Sequence, residues 1–458
     1  MVMSNRDRVD HVQTDNDVSA TDRYVTKPSR RSFLAATGAA GFGGLTGCLG
    51  GGGSESVDEI TVLAEGVADN LVLQEMTDQF TEEYDIEVTF ETFGYNQVQE
   101  SAATQVASGT SDYDVMTIDT YWVGDFARGE QLVPIGDRVS DSDMVSQDVY
   151  IDEVWDTVAT FEGTNYTLPF WQWTLGAGYR QDILEDPEYQ DAYEEEFGRE
   201  LAPAETMEEY VEMSTWMTEY TDGEVNGSVL MGQRGTKAND QWIGIFQGMG
   251  GTFIDEEGNV RYGEYRDEAI QATEYFVELF ENSAPSDSTS WGFPSVSEHM
   301  GAGDGFSAIN YNIFFRNMQD TLGDSGQIRQ YDTPGGSPAV GSWSLGIPSN
   351  LPDARIEAAW QFIEWVNTFE NRKQRILNGG SPVCTDTLDD QEVIDSAPNL
   401  WSNLEDLVSG GKPISKYPGS LEANRANGIE LSAILSGSKS IEEGIDDGIA
   451  AVEEAMSS

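Results

Sequence analysis

Between Asp58 and Ile118 the hydrophobic period switches four times, and that alternation constrains the fold more than any other feature of the chain. Asp58 to Leu63 alternates apolar and polar residues as a strand does. Leu71 to Tyr84 spaces Leu71, Met76, Phe80 and Tyr84 at helical intervals. Ile86 to Phe90 alternates again, Tyr95 to Ala107 reads as a helix that stops at Gly109, and Asp114 to Ile118 is a third strand. Strand–helix–strand–helix–strand argues for parallel α/β structure. Ligands of such sheets bind beyond the carboxyl ends of strands, the place that Asp119-Thr120-Tyr121-Trp122 occupies.

Upstream, Arg30-Arg31 followed by Phe33-Leu34 reads as a twin-arginine export signal. The apolar stretch from Leu34 to Leu45 is diluted with Gly and Ala. It is too short to span a bilayer, which takes roughly 20 apolar residues. An ordinary helix is disfavoured there, because each interior Gly costs about 1 kcal/mol. Leu45-Thr46-Gly47-Cys48 resembles a lipobox, in which Cys48 is lipidated and becomes the new N-terminus. Residues 1–47 are then a signal segment that is removed. Residues 48–56, with four consecutive glycines, form a flexible tether.

The remaining body of about 400 residues exceeds the roughly 250–300 at which single cores stop growing, so two domains are expected. The 458 residues carry 82 acidic against 24 basic side chains, a net charge of −58. Such a surface repels phosphate and anionic lipid, which makes nucleic acid a poor partner. It also repels itself, unless salt screens it; at 1 M the Debye length is about 3 Å. The acids are spread along the chain, as on a surface adapted to brine, and lack the regular Asp spacing of a calcium loop. With Cys48 lipidated, Cys384 has no intrachain partner. His299 is the one histidine left after removal of the segment holding His11, and reads as a surface or loop residue. A Ser-His-Asp triad or a His-rich metal site lacks material, so neither metal nor cofactor is expected.

Further along, Phe161 to Pro169 is a hairpin-like approach to the aromatic cluster Phe170-Trp171-Gln172-Trp173. Leu175 to Tyr179 and Gly303 to Tyr311 read as strands. Met207 to Tyr220, Asp267 to Phe280 and Ala354 to Phe369 read as helices whose apolar faces put Trp216, Trp360 and Trp365 in the core.

These segments in this order resemble the extracellular solute-binding proteins of sugar-type ABC transporters (family 1, maltose-binding-protein-like). The resemblance rests on Tyr113-Asp114-Val115-Met116 through Asp119, then Phe126-Ala127, Gly129 and Leu132-Val133-Pro134. Gly163 to Pro169 followed by Gly178-Tyr179-Arg180 continues it, with Arg180 where the family usually has Asn. Gly250-Gly251-Thr252-Phe253 with Asp255 and Gly258, Met300 to Gly303 through Ala308-Ile309-Asn310, Pro334-Gly335-Gly336, Gly341-Ser342-Trp343 and Ala358 to Ile363 complete it. It implies a two-lobed α/β fold of the periplasmic-binding-protein type (type II), with the ligand cleft between lobes joined by crossing strands. Lobe one would hold 57–169 and 343–380, lobe two 170–342 and 381–458. It implies a monomeric, non-enzymatic receptor on the outer face of the cytoplasmic membrane. The receptor would deliver a carbohydrate to ABC permease subunits while other chains hydrolyse ATP.

Sugars offer hydroxyls for hydrogen bonds and flat C–H faces for aromatic rings. Asp119 is the leading polar candidate, with a helix N-cap as the alternative role. Tyr121 and Trp122 follow it. Trp171 and Trp173, two apart on a strand, share a face that either lines the cleft or packs inside. The family often puts a stacking aromatic where Tyr311 stands, beside Asn312. Trp343 sits at the return crossing. Trp242, Tyr95 and Arg316 are weaker candidates. A polyamine, peptide or glycerol phosphate ligand stays open on the same fold, as does, less favoured, a secreted glycan-active enzyme. An iron site would want clustered Tyr ligands, and no adjacent Tyr pair is present.

Overall fold

The computed structural model describes residues 56–108, 112–323 and 326–457. The expected export signal at Arg30 and Arg31 and the expected anchor at Cys48 lie outside them. Strands β1 (Glu59–Glu65), β2 (Glu87–Phe93) and β3 (Val115–Asp119) form where the alternation puts them and pair in parallel with β1 in the middle. Helices Ala68–Tyr84 and Tyr95–Ser108 make the two crossovers. A short ladder of β4 (Thr160–Phe161) and β5 (Thr164–Asn165) turns through Glu162 and Gly163, both at positive φ.

The chain then enters β6 (Thr167–Arg180), fourteen residues long and buried throughout. The sequence pattern predicts strand at Leu175 to Tyr179 and offers an extended segment at Trp171 to Trp173 without joining the two. A strand covered on both faces has no polar alternation to show that it is continuous. β6 serves three neighbours. Its first half pairs antiparallel with β10 (Ala339–Gly346), Trp171 opposite Trp343. Its second half pairs with β8 (Gly305–Tyr311) and β9 (Ile328–Tyr331), while β7 (Asn226–Ser228) runs parallel to β8. β10 also pairs antiparallel with β3, Trp343 opposite Asp119, and carries β11 (Lys412–Pro413). The sheet order is therefore β2-β1-β3-β10-β6-β8-β7. The lobe boundaries expected at 169/170 and 342/343 both fall inside the long strands β6 and β10. A register shift between Trp343 and Ser344 bends β10 at this point. Two positions earlier stands Gly341, where a Cβ would sit 2.0 Å from the Trp173 ring. Only glycine lets the two strands and that indole coexist.

Helices Met207–Tyr220 and Arg266–Asn282 follow their spacing, and Trp216, Trp360 and Trp365 are buried. The expected Ala354 to Phe369 helix divides into Asp353–Val366 and Phe369–Leu377. Asn367 ends the first by donating its amide back to the Ile363 carbonyl (2.9 Å), a local bond that competes with the helix ladder. Asn312 opens a helix, Asn312–Leu322, directly after β8. His299 lies on helix Phe293–Ala302 and not in a loop, half-buried, its ring nitrogen 3.0 Å from Asn226 Oδ1. Helices Thr236–Gly248, Ser420–Leu435 and Ile441–Met456 were not foreseen. The first is buried on nearly every face from Ala238 to Gln247, so it shows no amphipathic stripe. Among the described residues no helix is long and apolar enough to cross a membrane, and no acidic, His or Cys cluster is arranged to hold a metal.

Candidate functional site

β1 and β3 end on acids, Glu65 and Asp119, and both open onto a cavity of about 570 Å³. Its aromatic lining comes from several elements far apart in the chain. Trp171 on β6 and Trp343 on β10 stack across the strand pair, ring centroids 5.5 Å apart and planes 13° from parallel. Tyr95, opening the second crossover helix, meets Trp343 edge-on at 5.9 Å. Trp173 leans on Tyr311 (4.6 Å), which touches Phe293 (5.2 Å), and Phe293 stacks on Phe314 (4.4 Å). Trp171 and Trp173 both reach the cavity, as their two-residue spacing on an extended strand allows.

Polar groups interrupt these rings at fixed points. Asp119 is 3% exposed, and its Oδ2 accepts a hydrogen bond from Tyr95 Oη at 2.8 Å. It stands at the N-cap position of helix Thr120–Arg128 with an extended backbone, yet its side chain caps no N–H there. Burial pushes its carboxyl up to about 7; Asp240 adds to the rise, while the Tyr95 hydrogen bond and Lys237 oppose it. Glu65 is pushed up to about 8, by burial first and then by the Asp119 charge, with Lys237 opposing. Lys237 is held by Asp240 Oδ2 at 3.0 Å and lies 4.0 Å over the Phe293 ring. Burial raises the hydroxyls of Tyr95, Tyr121 and Tyr311 well above the usual phenol range, so all three stay O–H donors at any physiological pH.

The scan against known families matches residues 66–373 to the bacterial extracellular solute-binding proteins. The chain belongs to that family. It is 22% identical over 410 residues to a probable amino-acid ABC transporter periplasmic-binding protein of Sinorhizobium fredii, covering 88% of this chain and 90% of that one. It superposes on a ribitol-bound ABC transporter solute-binding protein of Agrobacterium radiobacter with a TM-score of 0.75 at 18% identity, covering 87% and 100% of the two chains. Maltose-bound MalE3 of T. maritima gives 0.74 at 20% identity, with 86% and 99% covered. The fold is thus the two-lobed solute-binding architecture, and members of this extracellular family work outside the cytoplasm.

Seven of the eleven residues singled out from sequence line the cavity of this solute-binding protein: Tyr95, Asp119, Tyr121, Trp171, Trp173, Tyr311 and Trp343. Four do not. Trp122 is 2% exposed and stands behind the wall, its ring 5.1 Å from both Tyr95 and Trp343. Trp242 is fully buried on the far side of helix Thr236–Gly248, stacked on Phe246, its Nε1 donating to Thr273. Asn312 is also fully buried, and its Oδ1 accepts from the Thr174 backbone N–H at 2.9 Å, tying helix Asn312–Leu322 to β6. Arg316 points away as well, donating to the Ile376 carbonyl at 3.0 Å. Sequence reasoning missed Glu65, Lys237, Asp240, Phe293 and Phe314. Glu65 could have been found, since it ends β1 as Asp119 ends β3. The others sit on elements whose patterns carry no such signal.

The two raised carboxyls predict a pH dependence of the unliganded protein. Their ordinary values are 3.8 and 4.5, and in the fold they hold protons up to about 7 and 8. Between those limits the unfolded chain binds fewer protons than the native one, so these groups lower stability as pH rises. Below the unfolded values both states are protonated and the effect vanishes. Asp119→Asn removes its share. The mutant-minus-wild-type stability should therefore climb from near zero at pH 4 to on the order of 3 kcal/mol at pH 8. Denaturant unfolding at several pH values measures it, and a flat difference would contradict the assignment.

Proposed function

We propose that this protein captures a carbohydrate, a sugar or a polyol, in the aromatic-lined cavity and delivers it to the permease subunits of an ABC importer. The observation that carries this is the placement of the stacked pair Trp171 and Trp343 beside Asp119 and Glu65 in one cavity. Indole faces pack on sugar C–H surfaces and carboxyls take pairs of hydroxyls. The volume of about 570 Å³ lies within the ordinary range of roughly 300–1,000 Å³ for small-molecule sites and leaves room for more than one sugar ring. Ribitol and maltose in the two structural relatives agree with this chemistry. In this reading β6 and β10 are the crossings between a lobe of 57–169 with 343–380 and a lobe of 170–342 with 381–458, and the lobes close on the ligand. The protein acts as a monomer, changes no bond in its ligand and needs no cofactor. Lipidated Cys48 and the glycine tether hold it at the outer face of the cytoplasmic membrane, and the acidic surface suits concentrated salt.

One observation favours a second reading. Glu65, Asp119 and Asp240 line the cavity together with Arg234 and Lys237, a set of acidic and basic side chains that also suits a zwitterion such as an amino acid, the class in the name of the Sinorhizobium relative. A thermal-shift screen of the full chain in multi-molar KCl separates the two. A sugar or polyol at 100 times its Kd should add about 2.7 kcal/mol of stability. A shift with amino acids and none with carbohydrates would reverse the assignment.

A further inference from the structure

Asn424 belongs to no part of the cavity wall, yet its amide touches two residues that do. It lies on helix Ser420–Leu435, 2% exposed, packed beside helix Thr236–Gly248. Its Nδ2 donates to Tyr121 Oη at 2.7 Å and to Asp240 Oδ1 at 3.1 Å. Asp240 Oδ2 in turn receives Lys237 Nζ at 3.0 Å. Tyr121 follows β3 by two residues, whereas Asp240 and Lys237 come from the segment after β6, so one buried amide joins side chains from two walls.

The orientation of that amide is chemically determined. A carboxylate can only accept, so the NH₂ and not the carbonyl oxygen must face Asp240. The same NH₂ then obliges the Tyr121 oxygen to accept. Its own proton is left for an acceptor in the cavity that Tyr121 lines. Lys237, with one of its three protons on Asp240, likewise keeps donors for that space.

We propose that Asn424 is a positioning residue for ligand binding: it ties the Tyr121 wall to the Asp240 wall and turns the Tyr121 hydroxyl into a donor to the bound molecule. The proposal rests on the carbohydrate reading above. Asn424→Asp keeps the size of the side chain and reverses its role. The new carboxylate takes the Tyr121 proton for itself and faces Asp240 as a like charge.

The test is a double-mutant cycle on affinity, using full chains and the sugar or polyol that shifts the wild type, with maltose and ribitol tried first. Asn424→Asp should raise Kd about 10-fold in the wild-type background, the upper end of the scale for one neutral hydrogen bond. In the Tyr121→Phe background the same change should raise Kd by a factor at least about 3-fold smaller, with only the repulsion from Asp240 remaining, because the hydroxyl it redirects is gone. Equal effects in the two backgrounds would overturn the proposal, since a merely structural Asn424 gives additive losses. Should the Asp variant fail to fold by circular dichroism, Asn424→Ser, too short to reach both partners, takes its place with the same expectation. If no carbohydrate binds the wild-type chain, the functional assignment fails and this proposal with it. Binding with additive effects removes the proposal alone.

Discussion

Trp343→Ala should weaken carbohydrate binding by about 100-fold or more, close to 2.7 kcal/mol, and destabilise the fold by about 3–5 kcal/mol. Both numbers follow from the same position. Trp343 is 2% exposed on β10, between β3 and β6. Its ring stacks on Trp171 and receives Trp122 and Tyr95 on its edges. Truncation leaves a cavity that the paired strands on both sides cannot collapse to fill, which puts the cost at the upper end for large-to-small changes. It also removes the ring that keeps Trp171 upright at the cavity. Trp343→Phe retains an aromatic plane and should lose much less of both. Titration calorimetry and denaturant unfolding on the two variants measure the effects. An alanine variant that binds as the wild type does would place the ligand somewhere else.

Asp69→Ala is expected to cost the fold a similar 3–5 kcal/mol without touching the cavity. Asp69 opens the first crossover helix and meets Arg375, on helix Phe369–Leu377, in an ion pair with side chains 4% and 2% exposed. The Ser381 N–H also donates to Asp69 at 2.7 Å. Arg375 donates to the Phe170 carbonyl at 2.7 Å and lies 4.6 Å over the Phe170 ring, one residue before Trp171. Burial holds the Asp69 carboxyl above and the Arg375 guanidinium below their ordinary values, each opposed by its partner's charge. Neither is comfortable there without the other. Removing one leaves an uncompensated charge in the interior, whereas Asp69→Ala with Arg375→Met removes both and should recover most of the loss. Unfolding of the single and double variants measures this, and a double variant no better than the single would contradict it.

These two positions also show how far the amino-acid sequence could be read. The parallel unit from Asp58 to Ile118 was legible because β1, β2 and the first crossover helix keep exposed positions at their own period, and β3, though buried throughout, is short and completes the alternation of strand and helix. Asp119 followed, since strand ends in such sheets face ligands. β6 was only half legible. Buried on both faces, it lacks alternation, and its Trp171 and Trp173 read equally as core or cleft until their neighbours across β10 and β8 were known. Trp122 and Asn312 went astray for a related reason, and Trp242 because its helix is buried on nearly every face. An aromatic or an amide beside a strand end looks the same in sequence whether it faces the cavity or the layer behind it. Lys237, Asp240 and Asn424 were invisible. Their helices bury polar residues such as Asn239, Gln241 and Asn427 that in sequence suggest exposure, and their partners lie up to 303 positions away.

Isothermal titration of the full chain in high salt tests the central claim most directly, with maltose and ribitol in one series and glycine, leucine and glutamate in another. The account predicts saturable, one-to-one heat with at least one carbohydrate, lost in Trp343→Ala, and none with the amino acids. Saturable heat from an amino acid alone, or carbohydrate binding indifferent to Trp343, would contradict it.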